Sequence, residues 1–277
     1  KNKNITKHKI HGLDNEETYV FWITAYDHSG RESGPSNEKK LNRASYRSPE
    51  DEKNSDDRNG SDSADIDIDA EKRVHIYPGQ SIQAAIEAAD NGDEIIIHQG
   101  VYREKINFIG KALTVKSTDP DDPVVVAGTI IDGADLPMPG SIVTFMTNEG
   151  GDSILNGITI RNGNFVFGGG IYCSSSPTII NCTISGNSAK YGGAVCCLSS
   201  SATIANCVIN NNKATLGGGI FCLTSSSSIT NCTIKNNSAT SIGGIYCFFS
   251  SLTVTDCTIT KNSGGSSGGI ACLTKIP

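Results

Sequence analysis

The chain is 277 residues long, carries a formal charge of -6 and is 37% hydrophobic with 30 glycines. That length leaves room for about two domains, the acidic balance argues against a nucleic-acid partner, and no apolar run is long enough to span a membrane. Abundant Gly, Ser, Thr and Asn favour a β-rich fold with many turns over a helical bundle. The first element along the chain lies in residues 17–38, ETYVFWITAYDHSGRESGPSNE. There Tyr19, Phe21, Ile23 and Ala25 alternate with Val20, Trp22, Thr24 and Tyr26, a period of two that predicts a strand, and DHSG reads as the turn after it.

Taken with Leu13, this stretch resembles the last strands of a fibronectin type III domain. The resemblance implies that residues 1–40 are the C-terminal part of such a module, cut at its N-terminus. Residues 41–73 read as an acidic disordered linker. Ten acidic residues stand against six basic ones, and too little apolar surface is available to offset the entropy of ordering. Within it, Asp65, Asp67 and Asp69 offer carboxylates to a hard cation such as calcium. No glycine turn or closing glutamate is spaced for such a loop, so a solvated tether is the plainer reading.

From Val74 the pattern changes. A short amphipathic helix is expected over Ser81 to Ala89 with Ser81 as N-cap, and strands follow in EIIIHQGVY, KINFIG and KALTVKS. This segment resembles the opening of right-handed parallel β-helix proteins, the pectin-lyase-like superfold, in which a helix caps the first coil. The element GVYREK, Gly100 to Lys105, is similar to the G-x-Y-x-E element near the start of pectin methylesterases. That enzyme's catalytic aspartates and arginine find no counterparts in this sequence. The acidic residues Asp119, Asp121, Asp122, Asp132, Asp135, Glu149 and Asp152 fall in turn-rich segments, where Asp usually serves the turn itself.

The remainder is periodic. Cys173, Cys197, Cys222, Cys247 and Cys272 recur at steps of 24, 25, 25 and 25, while Cys182, Cys207, Cys232 and Cys257 recur at 25. Ile184, Ile209, Ile234 and Ile259 keep the step, as do Asn187, Asn212, Asn237 and Asn262. A fixed period of this length predicts a solenoid whose copies stack at the strand spacing of ~4.8 Å. The fold class expected is all-β, a right-handed parallel β-helix over 74–277 that stops in mid-coil. Both cysteine columns read as inward free thiols behaving as small hydrophobes. Disulfides and metal are the rival readings, met by demanding disulfide geometry and by the absence of CxxC or CxxH spacing. Cys196 breaks the pattern and is expected to face outward as a reactive thiol. Asn181, Asn206 and Asn231, with Asp256, form a corner ladder, and the NCT sequons at 181 and 231 are secondary to it. The repeats over 168–272 also resemble those of polymorphic outer-membrane proteins of chlamydial type, through GGAV, GGGI and GGI, with the companion F-x-x-N motif only loosely met.

From Ser153 onward the only acidic residue is Asp256 and the only arginine Arg161, so a two-carboxylate glycosidase site cannot be assembled there. No catalytic residue, resident metal or cofactor is expected, with calcium left open. Outward positions instead carry Tyr172, Cys196, Phe221, Tyr246 and Ala271, and the three aromatics form a candidate glycan-binding column. The sequence therefore points to an extracellular or cell-surface binding or adhesion protein with a polysaccharide partner. A carbohydrate-active enzyme such as a polysaccharide lyase is the alternative and a structural stalk the third, with oligomeric state undetermined.

Overall fold

The computed structural model describes residues 73–273, together with the strands Tyr19–Phe21, Lys39–Leu41 and Asp67–Ile68. The chain divides into two compact units, Lys1–Asp62 and Ser63–Pro277. In the first, Tyr19–Phe21 pairs antiparallel with Lys39–Leu41. The rest of the fibronectin-like stretch, and the linker apart from Leu41, Asp67–Ile68 and Arg73, lie outside the described residues.

The second unit is a right-handed parallel β-solenoid. Four sheets of seven, nine, seven and five strands run along it. Apart from the first pair of the nine-stranded sheet, where Asp67–Ile68 runs antiparallel to Val74–Ile76, the named strands pair in parallel with the next coil. The register reproduces the sequence columns. Cys173, Cys197, Cys222, Cys247 and Cys272 are successive partners, and so are Ile184, Ile209, Ile234 and Ile259. Strands of three or four residues supply one or two inward side chains each, and the core is a stack of isoleucines and thiols such as Ile179, Ile184, Ile204 and Cys197, all fully buried.

Two asparagine columns make the corners. Asn181, Asn206 and Asn231, with Asp256, adopt left-handed φ angles of 52–55°, a conformation Asn and Asp tolerate better than other side chains. Their amides link coil to coil: Asn206 Nδ2 donates to Asn181 Oδ1 at 3.1 Å, and Asn231 Nδ2 to Asn206 Oδ1 at 2.9 Å. The second column carries more of the structure than its spacing alone conveys. Asn187, Asn212 and Asn237 are buried. Asn212 Oδ1 accepts from both the backbone N–H and the Nδ2 of Asn187 at 3.0 Å. Asn212 Nδ2 donates to Ile184 O and to Asn237 Oδ1, each at 2.9 Å. The Asn212 amide thus serves four neighbouring groups inside the wall.

The N-terminal cap explains the GVYREK element. Helix α1, Ile82–Ala88, starts at Ser81, whose Oγ accepts from Ala84 N at 3.2 Å. Glu104 reaches back to the same end, accepting from Ile82 N at 2.8 Å, Gln83 N at 3.1 Å and Ser81 Oγ at 2.9 Å. A carboxylate at a helix N-terminus satisfies orphan N–H groups and complements the dipole. Lys111 does the converse at the other end, donating to the carbonyls of Ile86, Glu87 and Ala89 at 2.6–2.9 Å. The Tyr102 hydroxyl lies 2.9 Å from Ile76 O and 2.8 Å from His98 O. A Cβ on Gly100 would meet Pro78 Cγ at 2.4 Å. Gly, Tyr and Glu at this spacing therefore fasten the cap helix to the first coils.

The segment expected as a turn at STDPDDP continues into a second helix, α2, Pro123–Gly128. Asp122 caps it through Val124 N at 2.8 Å, and Pro123 occupies the first turn, where a missing N–H costs nothing.

Replacing Asn212 by Ala leaves the Asn187 N–H and amide and the Ile184 carbonyl without their partner inside the wall. The expected loss is about 3 kcal/mol or more of unfolding free energy, read from urea midpoints. A change below about 0.5 kcal/mol would show that the column is dispensable.

Candidate functional site

The outward register of the seven-stranded sheet runs Tyr172, Cys196, Phe221, Tyr246, Ala271. A second column stands at the end of the five-stranded sheet, where Phe167, Tyr191 and Leu216 are register partners. The two columns meet across the glycine corners. Gly168, Gly192 and Gly217 have φ of 61–66°, and a Cβ there would strike the carbonyl three residues on at 2.0–2.4 Å. Gly169 and Gly193 would drive a Cβ to 2.4 Å from Ser188 O and 2.3 Å from Gly218 O. Only glycine permits coils to stack this tightly, and the turn brings the ring at the end of one strand beside the ring in the next.

The result is a continuous series of ring contacts. Tyr172 and Phe167 lie 6.2 Å apart between centroids, Phe167 stacks on Tyr191 at 5.2 Å, and Tyr191 meets Phe221 at 5.2 Å. Phe221 then meets Tyr246 at 5.6 Å, Tyr246 meets Phe248 at 6.3 Å, and Phe248 meets Phe249 at 4.2 Å. Of the candidate binding residues, Tyr172 and Tyr246 are half-buried with part of each ring at the surface. Phe221 is only 4% exposed, because Tyr191 and Tyr246 flank it. It serves as the support between platforms and not as a platform. The column expected from sequence omitted Phe167, Tyr191, Phe248 and Phe249. A signal for the first two was present, since each immediately precedes a Gly-Gly pair one period apart.

Cys196 requires a correction. It occupies the outward register yet is fully buried. The contacts Tyr172–Phe167–Tyr191–Phe221 arch from the ladder partner on one side of it to the partner on the other. Burial pushes its thiol pKa up, and neighbouring Cys197 adds to the shift. The structural ladders Cys173–Cys197–Cys222–Cys247 and Cys182–Cys207–Cys232 are buried free thiols, while Cys257 is partly exposed and Cys272 exposed. The second ladder also bonds its corner: Cys207 Sγ donates to Ala205 O at 3.1 Å, and Cys207 N donates to Cys232 Sγ at 3.4 Å. Burial, with the Cys272 thiol beside it, pushes Cys247 up to about 12.

The acidic turns of the first coils are engaged in structure. Asp132 is buried; it accepts from Arg161 Nε at 2.8 Å, Asn162 Nδ2 at 2.7 Å and Ala134 N at 2.9 Å. Burial alone would raise its pKa, but these bonds outweigh it and hold the carboxyl below its usual value. Glu149 is also buried, bonds Gly110 N at 2.9 Å and Thr147 N at 2.7 Å, and is likewise lowered against the burial effect, with the Ser175 hydroxyl its leading partner. Asp119 accepts from Asp121 N within its own turn, and Asp121 accepts from Asn181 Nδ2, both at 3.2 Å. Among the described residues no group of three or more His, Cys, Asp and Glu is gathered to hold a metal ion, and no helix is long and apolar enough to cross a membrane.

Residues 143–275 match the family model described as right handed beta helix region. Among solved structures, that of pectate lyase Pel9A aligns with 11% identity over 74% of this chain and 78% of its own, at a TM-score of 0.42. No curated protein matches the chain.

Two outcomes are expected. A thiol-exchange dye added to the native chain at pH 8 reacts promptly with Cys272 and more slowly with Cys257, and reaches the other eight only after denaturation; prompt labelling of Cys196 would refute the arch. Asp132 and Glu149 have depressed folded-state pKa values, so their stabilisation is present above the ordinary carboxylate range near 4 and is lost as pH falls through the folded values. Urea midpoints should accordingly drop below about pH 4, and Asp132→Asn should flatten that drop.

Proposed function

We propose that this β-helix is an extracellular or cell-surface binding module whose aromatic face takes up polysaccharide. The observation that supports this reading is the uninterrupted ring series from Phe167 to Phe249 along the solenoid. One face of a pyranose ring is mostly C–H and packs on an aromatic face, while its hydroxyls bond to polar rims; tyrosine supplies both characters. Tyr172 and Tyr246 stand three coils apart in the column, roughly 14 Å at ~4.8 Å per coil, a span of several sugar units in an extended glycan. Phe249 is 46% exposed and extends the face beyond the sequence column. The ring face carries few charged groups, so ring packing and neutral hydrogen bonds are its means of recognition. The resemblance of residues 1–40 to the end of a fibronectin type III domain, and of residues 168–272 to the repeats of polymorphic outer-membrane proteins, fits an adhesive role outside the cell.

Affinity electrophoresis of the full chain against uronate-containing and neutral polysaccharides tests this. Retardation on at least one polymer is expected. Tyr172→Ser and Tyr246→Ser should each weaken it by about tenfold, the equivalent of about 1.4 kcal/mol, with far-UV circular dichroism unchanged. Equal retardation of wild type and both variants would sink the aromatic face as the site. Absorbance from unsaturated products would replace the binding reading with a lyase.

A further inference from the structure

The positive charge of the repeats gathers at one corner of the solenoid. Arg161, Lys190, Lys213, Lys235 and Lys261 fall in five successive coils, one to a coil. Arg161, Ser185, Asn210 and Lys235 are successive register partners, and Thr260 continues that column. Lys261 is the residue after it. Lys213 pairs with Ser188 and Ser238, three positions past the column. Lys190 stands five positions past it, in the strand Ser188–Tyr191. All five cations therefore occupy a window of six positions in a 25-residue period, around the corner built by Asn187, Asn212 and Asn237. The only acid from Ser153 onward, Asp256, stands at the other asparagine corner. The lysines of the first coils are engaged: Lys105 donates to Met138 O at 3.1 Å, Lys111 to three carbonyls, and Lys116 pairs with Glu94 at 2.8 Å. Lys190, Lys213, Lys235 and Lys261 are exposed and, among the described residues, have no acidic partner. Arg161 is paired with Asp132 at 2.8 Å and keeps 40% of its side chain exposed.

We propose that this corner binds a linear anionic glycan, with a carboxylate or sulfate on most of its sugars, laid along the solenoid axis. Charge complementarity with a period supports it. A polyanion running along the corner meets one cation per ~4.8 Å of axial rise, and a glycan with an anion on each sugar carries charge at a similar interval. The five cations are spread over four coil steps, about 19 Å, so a small anion could meet only one or two of them. Lysine suits the offsets of a few residues between coils, because its ammonium is a point charge on a flexible stem. The chain as a whole is acidic, at -6, and its field therefore steers a polyanion away from most of the surface and toward this edge. The site is separate from the ring face and does not rest on it; the one contact between them is Lys190 Nζ, 5.2 Å from the centroid of Tyr191.

Affinity electrophoresis of the full chain on dextran, carboxymethyl-dextran and dextran sulfate tests this, since the three share a backbone and differ in the anion. Retardation by at least one anionic polymer beyond that by dextran is expected, and its affinity should fall about tenfold or more between about 0.05 and 0.3 M salt. A response to one anionic polymer alone identifies the anion as sulfate or carboxylate. The double variant Lys213→Gln, Lys235→Gln should bind about tenfold more weakly, with urea midpoints close to wild type because both side chains are exposed. Adding Thr203→Lys and Thr253→Lys to that variant restores the net charge on the nine-stranded sheet, where both threonines are exposed, and should not restore binding. Tyr172→Ser should bind the anionic polymers as wild type does. The proposal is overturned by no excess retardation on either anionic polymer, or by equal affinity of wild type and the double variant. Recovery of affinity with the relocated lysines overturns it too, by making net charge the cause. So does tighter binding of double-stranded DNA than of either glycan, or loss of anionic-polymer binding in Tyr172→Ser.

Discussion

Each coil must end where the next begins, displaced by one strand spacing, and every polar group at the turn must find a partner inside a wall that excludes water. The column of buried Asn187, Asn212 and Asn237, continued by half-buried Asn262, meets that requirement. Each amide binds the backbone and side chain of its neighbour and a carbonyl of an adjacent coil. A side chain that is both donor and acceptor, short enough to turn with the chain, is needed; leucine would fill the space and leave three groups unsatisfied. Once this corner is fixed, register is fixed, and with it the inward thiols, the left-handed corner of Asn181 and its copies, and the outward aromatic column. The aromatic face is thus a consequence of the corner: rings from different coils touch because the coils cannot slip.

How much of this could be read beforehand follows from where information repeats. The columns were legible because each position is written four or five times at one period, and solenoid stacking turns that period directly into contact. The cap helix and its Ser81 N-cap were legible from a local signal. What a single residue does across coils was not. Glu104 and Lys111 grip the two ends of α1 from more than twenty residues away; the GVYREK element marks Glu104 without showing its contact, and nothing local marks Lys111. Cys196 was assigned to the correct face, but its accessibility depends on rings from two sheets meeting across a glycine corner. Phe221 was missed as a support for the same reason.

Chemistry in this molecule is divided by region. The first coils hold most of the charged residues of the β-helix, and two of the acidic ones are already at work: Asp132 and Glu149 are buried with their oxygens bonded to backbone, amide or guanidinium, and both are held ionised. A general acid or base must have a pKa near working pH and a proton it can exchange. Carboxylates driven further below that range, and enclosed, are the reverse. Thiols driven up by burial are equally removed from nucleophilic work, because the thiolate is the reactive form.

The repeats hold the opposite material, hydroxyls, amides, thiols and rings with few charged groups, presented at fixed intervals on a rigid wall. Such a surface discriminates by shape and spacing. It gains contact area with each additional coil, so a ligand that is itself a repeating neutral or weakly charged chain benefits most. A small molecule would use one coil and waste the others. On the ring face a charged polymer would find few ions to pair with. In the proposed binding role, the same backbone repetition that makes the fold rigid would favour a ligand with its own period, which would link the buried asparagine corner to the outward row of tyrosine and phenylalanine rings.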